Sequence, residues 1–168
     1  MRDAAERGRW LHRLFERLAD VPPDSRRARA GNWLAQQGLG DPAQRHDVIE
    51  QAMRIIEDPR FVPLFHADAL AEAPIAAVTP DGAVISGTVD RLLVLPDRIR
   101  IVDFKTGRAV PRSTAELPPS HLRQMAAYVA ALEVIFPGRA IEATLLYTSG
   151  PLLHQLAPDM LAPFLTAA

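Results

Sequence analysis

Between residues 74 and 107 two tight-turn signatures, Pro80-Asp81-Gly82 and Pro96-Asp97, separate short runs rich in β-branched residues. Pro74 to Thr79, Ala83 to Asp90 with an extended continuation to Leu95, and Ile99 to Lys105 therefore read as three consecutive strands of a meander. This pattern fixes more than a fold class. On a strand, residues two apart leave the same face, so Asp103 and Lys105 share one side of the sheet while Phe104 points to the other. Asp90 closes the preceding run, and hairpin pairing brings it to the same end of the sheet as Asp103.

The flanks have helical period. Trp10, Leu11, Leu14, Phe15 and Leu18 recur at three- and four-residue steps until Val21-Pro22-Pro23-Asp24 stops them. A second helix, capped by Asp24 or Ser25, is predicted to about Gln37. After Gly38-Leu39-Gly40-Asp41-Pro42 a third runs to about Glu57. Beyond the proline-rich loop 111–119, Ser120 is placed to cap a helix with Leu122, Met125, Ala126, Val129 and Leu132 on one face. Ile141 to Tyr147 and Leu152 to Leu156 then read as strands, and Pro158 to Leu165 as a short helix. Helices, strands, helix, strands make an α/β class with a mixed central sheet. With 168 residues, 48% of them hydrophobic, the chain is expected to form one domain over 1–168, with a helical part at 1–58 and an α/β core at 70–157.

The chain has no cysteine, so any metal must sit on oxygen or imidazole. Nineteen Lys and Arg against twenty Asp and Glu give a net charge of -1, short of the basic balance of a free-standing nucleic-acid binder. A carboxylate cluster offsetting a basic groove reconciles the two. No run approaches the length of a membrane span, Met1 to Trp10 lacks the apolar core of a signal peptide, and a cytoplasmic, nucleoid-associated location is expected. No G-x-x-x-x-G-K-[ST] phosphate loop is present.

Two carboxylates converging beside a lysine suit Mg²⁺ or Mn²⁺, because hard cations take oxygen ligands and retain waters that become nucleophiles. An isolated D-x-K is more often a surface ion pair. Here it is one of three motifs in order. Gly87-Thr88-Val89-Asp90, Asp103-Phe104-Lys105 and Gln124 with Tyr128 four residues on together resemble the nuclease domain of the RecB family, within the PD-(D/E)XK superfamily. A first helix carrying Arg7-Gly8, His12, Phe15 and Leu18 is similar to that of the carboxyl-terminal nuclease of AddA-type helicase-nucleases. The resemblance spans Arg7 to about Leu156.

That resemblance implies a restriction-endonuclease-like core behind an N-terminal helical segment. It implies Asp90 and Asp103 as metal ligands, the Phe104 backbone carbonyl as a third, His12 as a contributor from the first helix, and Lys105 as the catalytic lysine. Glu72 matches an acidic residue before the first strand. Gln124 and Tyr128, on one helix face, are placed to reach the site or a DNA phosphate. Arg91, Arg108, Arg112, His121 and Arg123 lie near enough to contact phosphates, whereas Trp10 and Trp33 read as core. The activity implied is Mg²⁺-dependent hydrolysis of DNA, as an exonuclease in recombinational double-strand break repair. Its partners would be DNA, helicase domains of the same longer polypeptide and a second subunit. A catalytically inactive, nuclease-like scaffold is the alternative, and its motifs should be broken; here Asp90, Asp103 and Lys105 are all present. A sequence-specific endonuclease would need base-reading loops, for which only Ala109 to Ser120 is long enough.

Overall fold

A computed structural model describes residues 2–66 and 68–165. Three helices come first: α1 (Arg2–Leu18), α2 (Pro23–Gln36) and α3 (Pro42–Ile56). The apolar stripe of α1 is almost wholly buried, with Leu11, Leu14, Phe15 and Leu18 at 2% exposure or less. Capping of α2 by Asp24 or Ser25 is not what the chain does. Pro22 occupies the N-cap without a side-chain bond and Pro23 the first helical position, where its fixed φ suits the helix and its missing N–H is no loss. Asp41 does cap α3, its carboxylate accepting from the Ala43 N–H at 2.9 Å.

Five strands follow, β1 (Ala69–Val78), β2 (Val84–Val94), β3 (Arg98–Lys105), β4 (Ala140–Tyr147) and β5 (Leu152–Leu156), in the spatial order 1-2-3-4-5. All neighbours are antiparallel except β3 and β4, which are parallel and joined by α4 (Pro119–Ile135) as crossover. The α4 N-cap is Pro118, not Ser120, again with proline at the first helical position. α5 (Pro158–Leu165) closes the described chain. This is the mixed, helix-flanked sheet with an N-terminal helical segment that the resemblance implied. Among the described residues no helix is long and apolar enough to cross a membrane.

Each sheet face has its own core. α1, α2 and α3 cover Ala69, Leu93, Val102, Phe104 and Leu146. α4 and α5 cover Ala73, Ile75, Val89, Ile99, Ile101 and Leu145. On β3 the alternation is strict, so Phe104 enters the helical core, with its ring centroid 4.8 Å from that of Phe15 and 6.0 Å from that of Phe65. Asp103 and Lys105 are thereby turned to the α4 side.

The β1–β2 hairpin does not keep one inward face. Ala69 of β1 packs with the helical core, yet Ala73 and Ile75, of the same parity, pack under α4. The same exchange occurs on β2 between Val89 and Leu93. Ala71 pairs with Arg91 and Ala73 with Val89, so no residue is inserted, but the rung between them, Glu72 opposite Asp90, drops out of the ladder. Glu72 has φ 48°, the left-handed region that side chains with a Cβ avoid. The face of β1 exchanges at this residue, and β1 begins at Ala69, well before the expected Pro74. An Ala-Glu-Ala-Pro run without β-branched residues, containing a left-handed residue, carries no strand period to read.

Phe104→Ala should lower folding stability by about 3–5 kcal/mol in denaturant titrations. Lys105→Ala on the same strand should cost well under half of that, since only Phe104 is seated in the core.

Candidate active site

β2 and β3 pair only from Arg91↔Val102 to Val94↔Ile99. The next rung would be Asp90 opposite Asp103, and there the strands separate. The Phe104 N–H, which would otherwise lack a partner on that side, donates to Asp90 Oδ2 at 2.6 Å. N–H and C=O of one strand residue point to the same side, so the Phe104 carbonyl also opens into the fork. The carbonyl of Lys105 faces away and accepts from the Thr148 N–H at 3.0 Å.

The second oxygen of Asp90 meets the N-terminal helix: Asp90 Oδ1 and His12 Nδ1 are 2.9 Å apart. What holds α1 in place to allow this is Arg91. It was expected at a DNA-facing surface, and the structure corrects that: Arg91 is 1% exposed. Its guanidinium donates to the Phe15 carbonyl and lies over the Phe65 ring, 5.0 Å from the centroid. Phe15 is in the last turn of α1, where carbonyls have no helical partner and a cation is favoured by the helix dipole. Asp90 and its neighbour Arg91 therefore grip α1 one turn apart, at His12 and at Phe15.

A close approach at the start of the helix completes the seat. A Cβ at Gly8 would stand 2.7 Å from Thr106 Oγ1, so the glycine gives α1 room to lie against the turn that follows Lys105 with the Thr106 side chain as it stands. Gly87 plays the same part across the sheet, where a Cβ would come within 2.7 Å of the Tyr128 ring. The glycines of two of the motifs are thus contact points with the elements that carry the others.

Single ligand atoms of His12, Glu72 and Asp90 all lie within 4.8 Å of one another. Octahedral ligands at about 2.1 Å from an ion stand no more than about 4.2 Å apart, so small side-chain shifts bring this set to bonding distance. Glu72 belongs to the cluster because the β1–β2 register sets it opposite Asp90, at the rung where its left-handed backbone interrupts the ladder. Asp103, 5% exposed, lies across the first unpaired rung with Oδ2 2.7 Å from Lys105 Nζ, a charge contact without an aligned hydrogen bond. Carboxylates and one imidazole, with a buried carboxylate oxygen left short of donors, are a donor set for a hard divalent cation such as Mg²⁺ or Mn²⁺. The residues present fit one.

On the α4 side the lysine is fixed from two directions. Lys105 Nζ donates to Gln124 Oε1 at 2.7 Å, and Gln124 Nε2 donates to the Tyr128 hydroxyl at 3.1 Å. Gln124 and Tyr128 thus act on Lys105 and on each other. Beyond the lysine, a cleft of about 630 Å³ runs between β3, the loop 106–111 and α4, with His121 and Tyr147 in its wall. His121 Nδ1 and the Tyr147 hydroxyl are 2.8 Å apart. Tyr147 carried no sequence signal beyond a place in a strand; only the parallel β3–β4 register, which sets it beside Lys105, identifies it.

The charges are strongly interdependent. Burial pushes the Asp103 carboxyl above the usual carboxylate range; Lys105 opposes this and Asp90 adds to it. Burial and the neighbouring Asp90 likewise raise Glu72. For His12, burial favours the neutral ring, but the hydrogen bond to Asp90 and the charges of Asp90, Asp103 and Glu72 outweigh it, so its pKa lies above 6.5. Burial, then the charge of Lys105, lowers His121.

In the metal-free protein the raised His12 pKa makes the imidazolium–Asp90 pair stabilising. That contribution is complete below the ordinary histidine value and fades as pH rises through the raised one. Thermal melts of the wild type in chelator should therefore lose stability across this window, and His12→Gln should flatten the loss. A histidine NMR titration should place His12 above the ordinary value; a midpoint at or below it would contradict the pairing.

The sequence profile of the PD-(D/E)XK nuclease superfamily matches residues 1–159. No curated protein matches significantly. Among solved structures, one titled "Crystal structure of SSO0001" is similar at 14% identity and a TM-score of 0.38, over 91% of this chain and 80% of that one. The profile match takes in every motif residue described above, from Arg7 to Tyr128, and the chain belongs to the PD-(D/E)XK nuclease superfamily.

Proposed function

We propose that this domain is a divalent-metal-dependent deoxyribonuclease whose reaction is hydrolysis of a phosphodiester bond at the β2–β3 fork. The observation that carries the reading is the convergence of His12, Glu72 and Asp90 beside the Asp103–Lys105 pair. His12, Glu72, Asp90 and Asp103 would hold Mg²⁺ or Mn²⁺, with the Phe104 carbonyl facing the same opening. What such an ion supplies when bound is charge neutralisation at a phosphoryl oxygen and a water of lowered pKa.

The protein's own groups do the positioning. Lys105 Nζ donates to Gln124 Oε1 and lies beside the Asp103 carboxylate, which leaves ammonium hydrogens for a phosphate oxygen or the attacking water. A cation held there before substrate arrives stabilises the charge that grows on the phosphorane without having to reorganise. Gln124 is a positioning residue: the lysine, a donor only, selects its Oε1, and Tyr128 accepts from its Nε2. Asp90 has one oxygen on the Phe104 N–H, so its carboxylate is oriented by the backbone before any ion arrives. Because burial raises Asp103, protons compete with a cation for this carboxylate, so the cation requirement should tighten as pH falls.

The similarity of Arg7, Gly8, His12 and the three motifs to AddA-type domains supports a finer reading. In it the domain acts as an exonuclease in double-strand break repair, as one part of a longer helicase-nuclease that delivers DNA to it. The near-neutral charge of the chain fits a domain that need not capture DNA alone. The intact Asp90, Asp103 and Lys105 weigh against an inactive scaffold.

Incubated with linear single- and double-stranded DNA and Mg²⁺, the wild type should cleave and chelator should stop it. Asp103→Asn should reduce cleavage to background. Lys105→Ala should lower kcat about 10²–10³-fold, and Gln124→Ala should lower it less. Folded Asp103→Asn protein that cleaves at the wild-type rate would remove Asp103 from the mechanism.

A further inference from the structure

A second cleft, of about 910 Å³, opens on the other side of the turn that follows Lys105. Its walls are α1, α3, and the turns 106–108 and 148–151; Thr106, Gly107 and Arg108 line both this cleft and the one beside Lys105. Three arginines converge on it from three elements: Arg7 of α1, Arg54 of α3 and Arg108 of the turn. Most of the other arginines have partners. Arg13, Arg27, Arg60, Arg98 and Arg100 pair with carboxylates, and Arg26, Arg45, Arg91 and Arg139 donate to backbone carbonyls. Among the described side chains no carboxylate oxygen lies within 4.0 Å of Arg7, Arg54 or Arg108. Of the acids lining the cleft, Glu50 is engaged by Arg27 at 3.2 Å and Asp47 is exposed.

Arg7 is also held in place. Its Nε and one terminal nitrogen donate to the single oxygen Gln51 Oε1, at 3.1 and 2.7 Å, and the Gln51 amide nitrogen lies 3.4 Å from Thr148 Oγ1. A half-buried guanidinium oriented by a neutral amide keeps its full charge for something else, and a fork of N–H donors fits a phosphate. Trp10, half-buried, lines the same cleft and offers a ring beside it.

We infer that this cleft binds the backbone of a single nucleic-acid strand, taking the phosphates that flank the scissile one where the strand crosses the turn 106–108. Arg108 stands at the crossing, Arg7 receives a phosphate in the cleft and Arg54 holds its outer rim. This deepens the nuclease reading and rests on it for the position of the scissile phosphate, but the cleft's affinity for a strand does not depend on catalysis. A duplex, with its second strand, is a different ligand and an outcome of the test.

Binding of a fluorescein-labelled oligothymidylate is measured by anisotropy in chelator, where no cleavage occurs, over a salt series. Arg54 and Arg108 are exposed, so the double variant R54Q/R108Q retains the fold; R7Q and R7K are measured beside it. The double variant should bind about tenfold or more weakly, and the slope of log affinity against log salt should fall by about 0.7 for each arginine removed. R7K, which keeps charge but loses the fork, should fall between R7Q and wild type. With Mg²⁺, these variants should raise KM for the oligomer and leave kcat near wild type. Wild-type affinity and salt slope in R54Q/R108Q, tighter binding of duplex than of single strand, or no binding by the wild type, would each overturn the inference. If the wild type binds the strand and loses it in the variants yet cleaves nothing with any divalent cation, the cleft stands and the hydrolase reading falls.

Discussion

The structure turns on the failure of one rung of a ladder. β2 and β3 stop pairing where Asp90 meets Asp103, and the backbone N–H of Phe104 is satisfied by the Asp90 carboxylate in place of a strand. An unpaired buried N–H would cost about 1–3 kcal/mol, so a side-chain acceptor at this point stabilises the fork. Asp90 does so with one oxygen and keeps the other for His12. A single carboxylate thus both ends the pairing and starts the site. The neighbouring Glu72 adds a second departure from regular sheet, in a backbone state that costs roughly 1–3 kcal/mol. Two irregularities at one rung place three ligand groups together.

The helical segment is tied to that rung from the other side. Arg91, next in sequence to Asp90, spends its charge on the last turn of α1, while Gly8 lets the first turns press on Thr106. His12 sits between these two fixed points. The α4 side is built in the same way, since the approach of Gly87 to Tyr128 sets the helix whose Gln124 holds Lys105. Residues that look dispensable in a list of catalytic side chains, two glycines and a buried arginine, determine where those side chains stand.

Much of this was legible in the sequence. Period-two alternation over Ile99 to Lys105 puts Asp103 and Lys105 on one face and Phe104 on the other, as they stand in the fold. The helices of the first third followed from their apolar stripe and proline stops. What could not be read was set by tertiary contact. Arg91 looked like a surface cation because nothing local shows that its strand turns it toward Phe15. Glu72 could be matched only as an acidic residue before the first strand, because a left-handed φ at a glutamate leaves no compositional trace. The 106–108 turn was a strand end in the sequence, and only the packing of α1 and α3 makes it the ridge between two clefts. Proline at the first helical position displaced the polar caps expected for α2 and α4, where the serine and aspartate signals were the louder ones.

In the proposed mechanism the fork grips one divalent ion between the N-terminal helix and the sheet. A crystal of the protein soaked in Mn²⁺ and measured for anomalous scattering tests it directly. The expected result is a peak within bonding distance of His12, Asp90 and Asp103, with Glu72 at or near it. A peak only elsewhere, or an ion at the fork with His12 more than about 4 Å away, would contradict it.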